Sequence, residues 1–99
     1  MGNPDAYYKR ALQVFARYLT FMDDVKLADK LLNEKSLEKL EKFILQKKEE
    51  IDEKHFYYAA GQACYLVLME ATEDGCDSFN ASLGGLNSFE YFIGIEESE

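Results

Sequence analysis

The chain has 99 residues, of which 47% are hydrophobic and 14% aromatic, and its formal net charge is −8 at pH 7. This hydrophobic content excludes general disorder, because such a chain buries enough apolar surface to offset the ordering of its backbone. The length predicts one domain with a single core, and the negative charge disfavours a nucleic-acid-binding protein that acts alone.

The charges are divided unevenly along the chain. All 11 basic residues lie between Lys9 and Lys54 together with 11 acidic ones, whereas residues 55–99 hold 8 acidic residues and no basic one. Such asymmetry is typical of a surface that meets a basic partner, and also of an acidic tail that only keeps a protein soluble. Both interpretations stay open at the level of the sequence.

The first predicted helix begins at Asn3-Pro4-Asp5, where Asn3 caps it, Pro4 takes the first helical position and Asp5 complements the helix dipole. Apolar residues then recur at alternating spacings of four and three, which predicts a packed helix. This stripe consists of Tyr8, Leu12, Phe15, Leu19 and Met22. Arg10 and Arg17 lie on the polar side and point the same way, toward solvent or toward a partner.

Two further helices are predicted after the first. Asp23 or Asp24 is expected to cap a short helix that ends near Asn33, and Ser36 is expected to cap a longer, largely solvated one. Asp52 either starts a new helix or lies within one long bent helix, and the periodicity does not decide between these alternatives.

The next stretch is the longest apolar one, since between Phe56 and Ala71 only Gln62 and Glu70 carry strongly polar side chains. It is therefore predicted to be the central core helix, enclosed by the others, and to stop at Gly75. A membrane span is the alternative, but the uninterrupted apolar run is shorter than the ~20 residues that a bilayer requires. We therefore expect no membrane association.

The composition changes after Gly75. Residues 76–88 are rich in Gly, Ser and Asn and are interpreted as a loop, and the aromatic segment that follows is open to interpretation as a strand, a last helical turn or an arm that folds on a partner. The sequence thus predicts an all-α fold, a small bundle of three to four helices. Residues 1–75 form its helical domain, and residues 76–99 form a loop and an irregular acidic C-terminal arm that packs on it or on a partner.

Few residues have side chains that could bind a metal or take part in catalysis. The N-terminal MGNPDAYYKR lacks the basic start and apolar run of a secretory signal, so we expect a cytoplasmic protein with reduced cysteines. His55, Cys64 and Cys76 match no compact zinc-ligand spacing, and we expect no metal and no cofactor. His55 is interpreted as a residue at the edge of the core with one hydrogen-bond partner, and Cys64 as a buried, inert thiol.

No constellation of catalytic residues is recognisable in the sequence. No nucleophile lies near a suitable base, and Gly84-Gly85 lacks the following Lys of a phosphate-binding loop. We therefore expect that the protein is not an enzyme and has no small-molecule substrate. The candidate nucleic-acid-binding residues are Arg10, Arg17, Lys47 and Lys48.

Residues 49–71, EEIDEKHFYYAAGQACYLVLMEA, carry a resemblance to a known family. They resemble a segment near the C-terminus of the large subunit of type I-B CRISPR surveillance complexes, where a phenylalanine, a second aromatic residue, a Gly-Gln pair and a Tyr-Leu pair recur on a helix. These positions are here Phe56, Tyr58, Gly61, Gln62, Tyr65 and Leu66. In that family the C-terminal helical part also exists as a separate small subunit, which lies along the complex and helps to hold the DNA strands.

The resemblance implies a non-catalytic helical subunit of an RNA-guided effector complex in antiviral defence, which aids assembly and positions nucleic acid only within that complex. Two features of the chain motivate an alternative. Its acidic C-terminal half contains no basic residue, and the family's continuing helices are not recognisable after Ala71. The chain is then a small acidic inhibitor or adaptor that mimics nucleic acid and occupies a basic surface on a larger protein complex. Its candidate partner-binding residues are Glu90, Phe92, Glu96, Glu97 and Glu99.

Overall fold

The computed structural model describes residues 4–94, which form five α-helices joined by short connections. The helices are α1 (Pro4–Thr20), α2 (Val25–Leu32), α3 (Leu37–Glu50), α4 (Glu53–Asp74) and α5 (Cys76–Ile93). The predicted all-α class is confirmed. The prediction of three to four helices is wrong, because the described residues form five.

The starts of three helices follow from local capping chemistry. The Asp24 carboxylate and the Ser36 hydroxyl each accept a hydrogen bond from the backbone amide three residues further on, at 3.0 and 3.3 Å. The Asp52 carboxylate accepts one from the Lys54 amide at 3.0 Å, and its backbone is extended. Asp52 therefore caps a new helix, so α3 and α4 are separate. The predicted Asn3 cap lies outside the described residues.

The helix at the centre of the bundle is α1, which packs against each of the other four helices. Its Phe15 is fully buried and makes edge-to-face contacts with Phe56 of α4, at 4.9 Å between ring centroids, and with Phe89 of α5, at 5.3 Å. Such pairs stabilise a core beyond the burial of their area. Leu12, Phe15 and Leu19 of the predicted stripe are buried and Tyr8 is half-buried, but Met22 lies beyond the helix end and is 89% exposed.

The stretch predicted to be the enclosed core helix forms α4, but only one side of α4 is buried. The buried residues are Phe56, Ala59, Ala60, Ala63, Val67 and Ala71. Most of these side chains are small, which permits close packing against α1 and α5. The opposite side carries Tyr58 and Tyr65 at the surface, so the prediction of enclosure on all sides is wrong. The physical reason is that α1 holds the central position and α4 packs beside it.

Residues 76–88 are helical and form the first part of α5, so the prediction of a loop there is wrong. This helix buries Leu86 and Phe89 in the same core as α1 and α4. Its small residues permit a close approach, since a Cβ atom added to Gly85 would lie 2.5 Å from the Pro4 carbonyl oxygen. Packing therefore compensates for the weak helix propensity of Gly, Ser and Asn.

The turn between α4 and α5 occurs at Gly75, where α4 was predicted to stop. Gly75 has a φ of 127°, a conformation that favours glycine, and its amide donates to the Ala71 carbonyl. After this turn α5 packs against both α4 and α1. No helix within residues 4–94 is long and apolar enough to cross a membrane.

Candidate partner-binding site

One side of α4 presents aromatic and apolar side chains to solvent. Tyr58 is 69% exposed, Tyr65 60% and Met69 43%. Their spacing of seven and then four residues places them on one side of the helix. Neither tyrosine hydroxyl makes a hydrogen bond within residues 4–94. We call Tyr58, Gly61, Gln62, Tyr65 and Met69 the α4 face.

The α4 face has a gap near its middle. Tyr58, Gly61, Gln62 and Tyr65 have the spacing i, i+3, i+4 and i+7, which is that of the four residues surrounding a hole in helix packing. A Cβ atom added to Gly61 would meet no atom within 4 Å. Nothing in the bundle therefore requires glycine at this position, although glycine weakens a helix. The gap is open to a side chain from outside the chain.

A groove of about 500 Å³ adjoins the α4 face at the N-terminal end of α4. Leu19, Ile51 and Ala59 contribute apolar lining, and the exposed Met22 lies at its edge. The remaining lining residues are Tyr18, Asp23, His55 and Tyr58. Since methionine adapts to irregular apolar surfaces, this groove is suited to the side chains of a protein partner.

His55 lies at this groove with its side chain 84% exposed. Its Nδ1 atom is 4.0 Å from the Asp52 carboxylate, a distance too long for a hydrogen bond. The interpretation of His55 as a residue at the core edge with a hydrogen-bond partner is therefore wrong. In the first turn of α4 only Phe56 is directed into the core.

The residues that carry the CRISPR resemblance divide between the core and the surface. Phe56 is fully buried, whereas Gln62 and Leu66 are half-buried. The exposed members are Tyr58, Gly61 and Tyr65. Four of the six motif residues therefore lie on the α4 face, and three of these are exposed, so packing within this chain does not require them there.

Two of the four candidate nucleic-acid-binding residues are engaged within the bundle. The Arg10 guanidinium donates two hydrogen bonds to the Glu70 carboxylate, at 3.2 and 3.1 Å. The Lys48 ammonium donates to the Ile93 carbonyl oxygen at 3.0 Å, at the C-terminal end of α5. A cation in that position offsets the negative end of the helix dipole. Both cations thus have a structural partner.

The other two candidates have aromatic neighbours. The Arg17 guanidinium carbon is 4.8 Å from the centre of the Phe21 ring, and Arg17 Nε is buried without a hydrogen-bond partner in the described part of the chain. The Lys47 ammonium is 5.7 Å from the Phe43 ring and 3.8 Å from the Glu50 carboxylate. Each of the four basic side chains therefore contacts a group of its own chain.

Of the candidate partner-binding residues at the C-terminal end, Glu90 and Phe92 lie within the described range. Phe92 is half-buried and packs edge-to-face against Tyr8, at 6.4 Å between ring centroids. Glu90 is also half-buried, which limits its reach toward a partner. The remaining candidates, Glu96, Glu97 and Glu99, lie outside the described residues.

Both cysteines are free thiols. Burial, and to a lesser degree the Glu90 carboxylate, raise the pKa of the Cys64 thiol to about 11, so this thiol is protonated near neutral pH and is a poor nucleophile. Cys76 is exposed at the first position of α5 and does not lie in a loop. Among residues 4–94 no group of three metal-ligating side chains is close enough to hold an ion.

Two parts of this site differ from the sequence-based prediction. The periodicity assigns Met22 to the packed stripe of the first helix, although Asp23 and Asp24 directly after it indicate that the helix ends there. The apolar content of α4 suggests enclosure, yet Tyr58 and Tyr65 are exposed. Hydropathy does not distinguish an aromatic stripe that packs within the chain from one that faces solvent.

Comparison of the chain with protein-family models, with curated proteins and with solved structures found no match. The function is therefore inferred from the α4 face, the adjoining groove and the charges around them. The α4 face combines exposed aromatic rings with a gap at Gly61, where packing within the bundle does not require glycine.

Proposed function

We propose that the chain is a non-catalytic helical subunit that joins a larger protein assembly through the α4 face. The observation that carries the proposal is the exposure of Tyr58, Tyr65 and Met69 on one side of α4. Tyrosine is enriched in protein interfaces, because its ring buries a large area while its hydroxyl can remain hydrogen-bonded. An exposed apolar face of this kind is typical of a protein–protein interaction site.

The assembly that we propose is an RNA-guided effector complex of the type I CRISPR class, acting in the cytoplasm. The resemblance of residues 49–71 to the helical region of its large and small subunits supports this proposal. Tyr58, Gly61, Gln62 and Tyr65 belong both to that resemblance and to the α4 face. Exposed residues that are not needed for packing within their own chain are suited to hold a neighbouring subunit.

Nucleic acid enters this proposal only within the complex. The net charge of −8 opposes binding of DNA by the isolated chain. The pairing of Arg10 with Glu70 and of Lys48 with the Ile93 carbonyl further reduces the free positive charge. Within an assembly, the electrostatic field of the neighbouring subunits decides whether a nucleic-acid strand is held. This chain contributes mainly by positioning those subunits.

Gel-shift assays with single- and double-stranded DNA, at low and at moderate salt, test the effector role. We expect no shift with the isolated chain and tighter retention of DNA when the chain is added to the other effector subunits. If the other effector subunits retain DNA no more tightly at low salt after the chain is added, the proposal is contradicted.

Co-purification of the reconstituted complex tests the α4 face directly. Tyr58→Ser combined with Tyr65→Ser should reduce incorporation of the chain at least about tenfold, because two aromatic anchors are lost. Tyr91→Ser is the matched control, since Tyr91 is a 74% exposed tyrosine on α5. Normal incorporation of the double variant would show that assembly does not use this face.

A second candidate function is that of the acidic inhibitor or adaptor. It is favoured by three exposed acids around the turn between α4 and α5, which make no ion pair within residues 4–94. These acids are Glu73, Asp74 and Asp77. For this candidate, replacing Glu96, Glu97 and Glu99 with Gln should weaken capture of a basic partner, and unchanged affinity would count against it.

A further inference from the structure

We infer that the α4 face receives one α-helix of a protein partner, with a large apolar side chain of that helix over Gly61 and its Lys or Arg residues beside Glu73. The inference rests on the proposed function, because it names the kind of partner that the α4 face binds. The gap at Gly61, the charge at the C-terminal end of α4 and the net charge of the chain each restrict the partner.

The gap at Gly61 fits a side chain that comes from a helix. In helix packing, a side chain of one helix inserts among four residues of the other that have the spacing of Tyr58, Gly61, Gln62 and Tyr65. Two exposed tyrosine rings lie at the ends of this hole, so a large apolar side chain such as Leu buries the most area there. The chain itself does not fill the space, since a Cβ atom at position 61 would meet nothing within 4 Å.

The charge at the C-terminal end of α4 is negative and not neutralised within the described residues. Between Phe56 and Asp74 the charged residues of α4 are all acidic, namely Glu70, Glu73 and Asp74. Glu70 is paired with Arg10, whereas the other two make no ion pair within residues 4–94. The last turn of α4 carries no basic residue that would neutralise them. A cationic side chain is therefore favoured at this end.

Glu73 continues the α4 face toward that end of the helix. It is exposed and follows Met69 by four residues, which places both on one side of α4. From Tyr58 to Glu73 the surface extends about 23 Å, which corresponds to about four turns of a partner helix. A single helix therefore places an apolar residue over Gly61 and a cation beside Glu73 at the same time.

The same charges disfavour two other occupants. A second copy of the chain brings a further net charge of −8, so two copies repel each other across this face. Nucleic acid is repelled because its phosphates would approach Glu73, at the end of α4 that also carries Asp74. A protein helix with basic residues at one end has neither disadvantage.

The test uses the full chain and two synthetic helical peptides of about 18 residues, a length that covers the face. Both peptides carry the same stripe of Leu, and they differ only in having Lys or Glu at one end. Fluorescence anisotropy measures their binding at about 50 mM and at about 500 mM salt, because screening removes the contribution of charge. We expect the Lys peptide to bind at least about tenfold more tightly at low salt, and the difference to shrink at high salt.

Two sets of variants separate the gap from the charge. Gly61→Leu should raise the melting temperature, because leucine strengthens the helix. It should nevertheless weaken binding of the Lys peptide at least about tenfold, because the new side chain fills the hole. Weaker binding by a more stable protein does not result from unfolding. Glu73→Gln with Asp74→Asn should remove the preference for Lys, whereas Glu49→Gln with Asp29→Asn, exposed acids on α3 and α2, should leave it unchanged.

Equal binding of the two peptides at low salt would overturn the inference, and so would binding of neither peptide or binding that Gly61→Leu leaves unchanged. Sedimentation could instead detect a dimer that the variant with Tyr58→Ser and Tyr65→Ser no longer forms. This result would show that the α4 face binds a second copy of the chain, and it would also overturn the inference. The proposed function fails by a different result, namely that these tyrosine substitutions leave incorporation into the assembly unchanged.

Discussion

Arg10 of α1 binds Glu70 of α4 through two hydrogen bonds, 3.2 Å from Nε to Oε1 and 3.1 Å from Nη2 to Oε2. Arg10 also donates to the Gln13 side chain at 3.5 Å, and Gln13 donates to the Glu34 carbonyl oxygen at 2.7 Å. These contacts join the central helix to α4 on one side and to the connection between α2 and α3 on the other. Arg10 therefore has a structural role in this bundle.

Breaking the pair should cost little stability despite its favourable geometry. The Arg10 and Glu70 side chains are 35% and 48% exposed, and ion pairs at such exposure contribute up to ~1 kcal/mol. In a double-mutant cycle of Arg10→Met and Glu70→Gln, we expect a coupling free energy of about 0.5–1 kcal/mol in urea denaturation. A coupling near zero would show that the pair does not help to hold α4 against α1.

Two adjacent glycines of α5 should respond in opposite ways to alanine. A Cβ atom added to Gly85 would lie 2.5 Å from the Pro4 carbonyl oxygen, whereas one added to Gly84 would lie 3.5 Å from Pro4 Cβ, an ordinary contact. Gly85→Ala should therefore lower the free energy of unfolding by about 1–3 kcal/mol, because it forces α5 away from α1. Gly84→Ala should raise it by up to about 1 kcal/mol through helix propensity. Thermal unfolding of both variants measures the contrast, and equal effects would contradict the close packing.

Lys48 and the neighbouring Lys47 should contribute differently to stability. Lys48 donates to the Ile93 carbonyl at 3.0 Å and so stabilises the C-terminal end of α5, whereas Lys47 makes no hydrogen bond in the described residues and approaches Glu50 at 3.8 Å and the Phe43 ring at 5.7 Å. We expect Lys48→Met to lower the free energy of unfolding by about 1 kcal/mol, because a terminal carbonyl loses its charged donor. Lys47→Met, the matched control, should lower it by less than about 0.5 kcal/mol in the same urea titration. Similar losses for the two variants would argue against this capping role.

Stability should decline as the pH rises from 9 toward 11. Burial, followed by the Glu90 carboxylate, raises the pKa of Cys64 from 9.0 to about 11, so the folded chain holds this proton more tightly than the unfolded chain. The contribution of Cys64 is therefore complete below pH 9.0 and is lost as the pH rises through about 11. Burial and the hydrogen bond to Glu41 raise the pKa of Tyr8, with an effect of the same sign.

The contribution of the thiol is measured by comparing the wild type with Cys64→Ala in urea unfolding at a series of pH values. The variant should lose less stability over this alkaline range, because its buried site has no proton to release. An identical decline in both proteins would show that Cys64 is not responsible for the loss of stability. The same comparison with Tyr8→Phe would then measure how much of that loss is due to Tyr8.

Several helix ends were predictable from the sequence because they depend on neighbouring residues alone. Asp24 and Ser36 accept hydrogen bonds from amides three residues further on, and Gly75 takes a φ that favours glycine. Asp52 also caps a helix, but the periodicity left open whether a new helix begins there. A capping side chain and the amide that it binds lie close in sequence, so no distant part of the chain is required.

Helix α5 was not predictable in the same way, because its stability comes from distant contacts. Its Gly, Ser and Asn residues are weak helix formers, which favoured the interpretation of residues 76–88 as a loop. The close approach of Gly85 to Pro4 and the packing of Phe89 on Phe15 outweigh that weakness. Both contacts join α5 to the first helix, and local periodicity contains no information about them.

The sequence by itself determined the all-α class, the main helix ends and the high apolar content between Phe56 and Ala71. Only the tertiary structure decided which part of that apolar content is core. Because α1 occupies the centre, α4 buries its small residues on one side and leaves Tyr58 and Tyr65 exposed on the other. Periodicity reports what one helix offers for packing, whereas burial depends on which other helices are present to cover it.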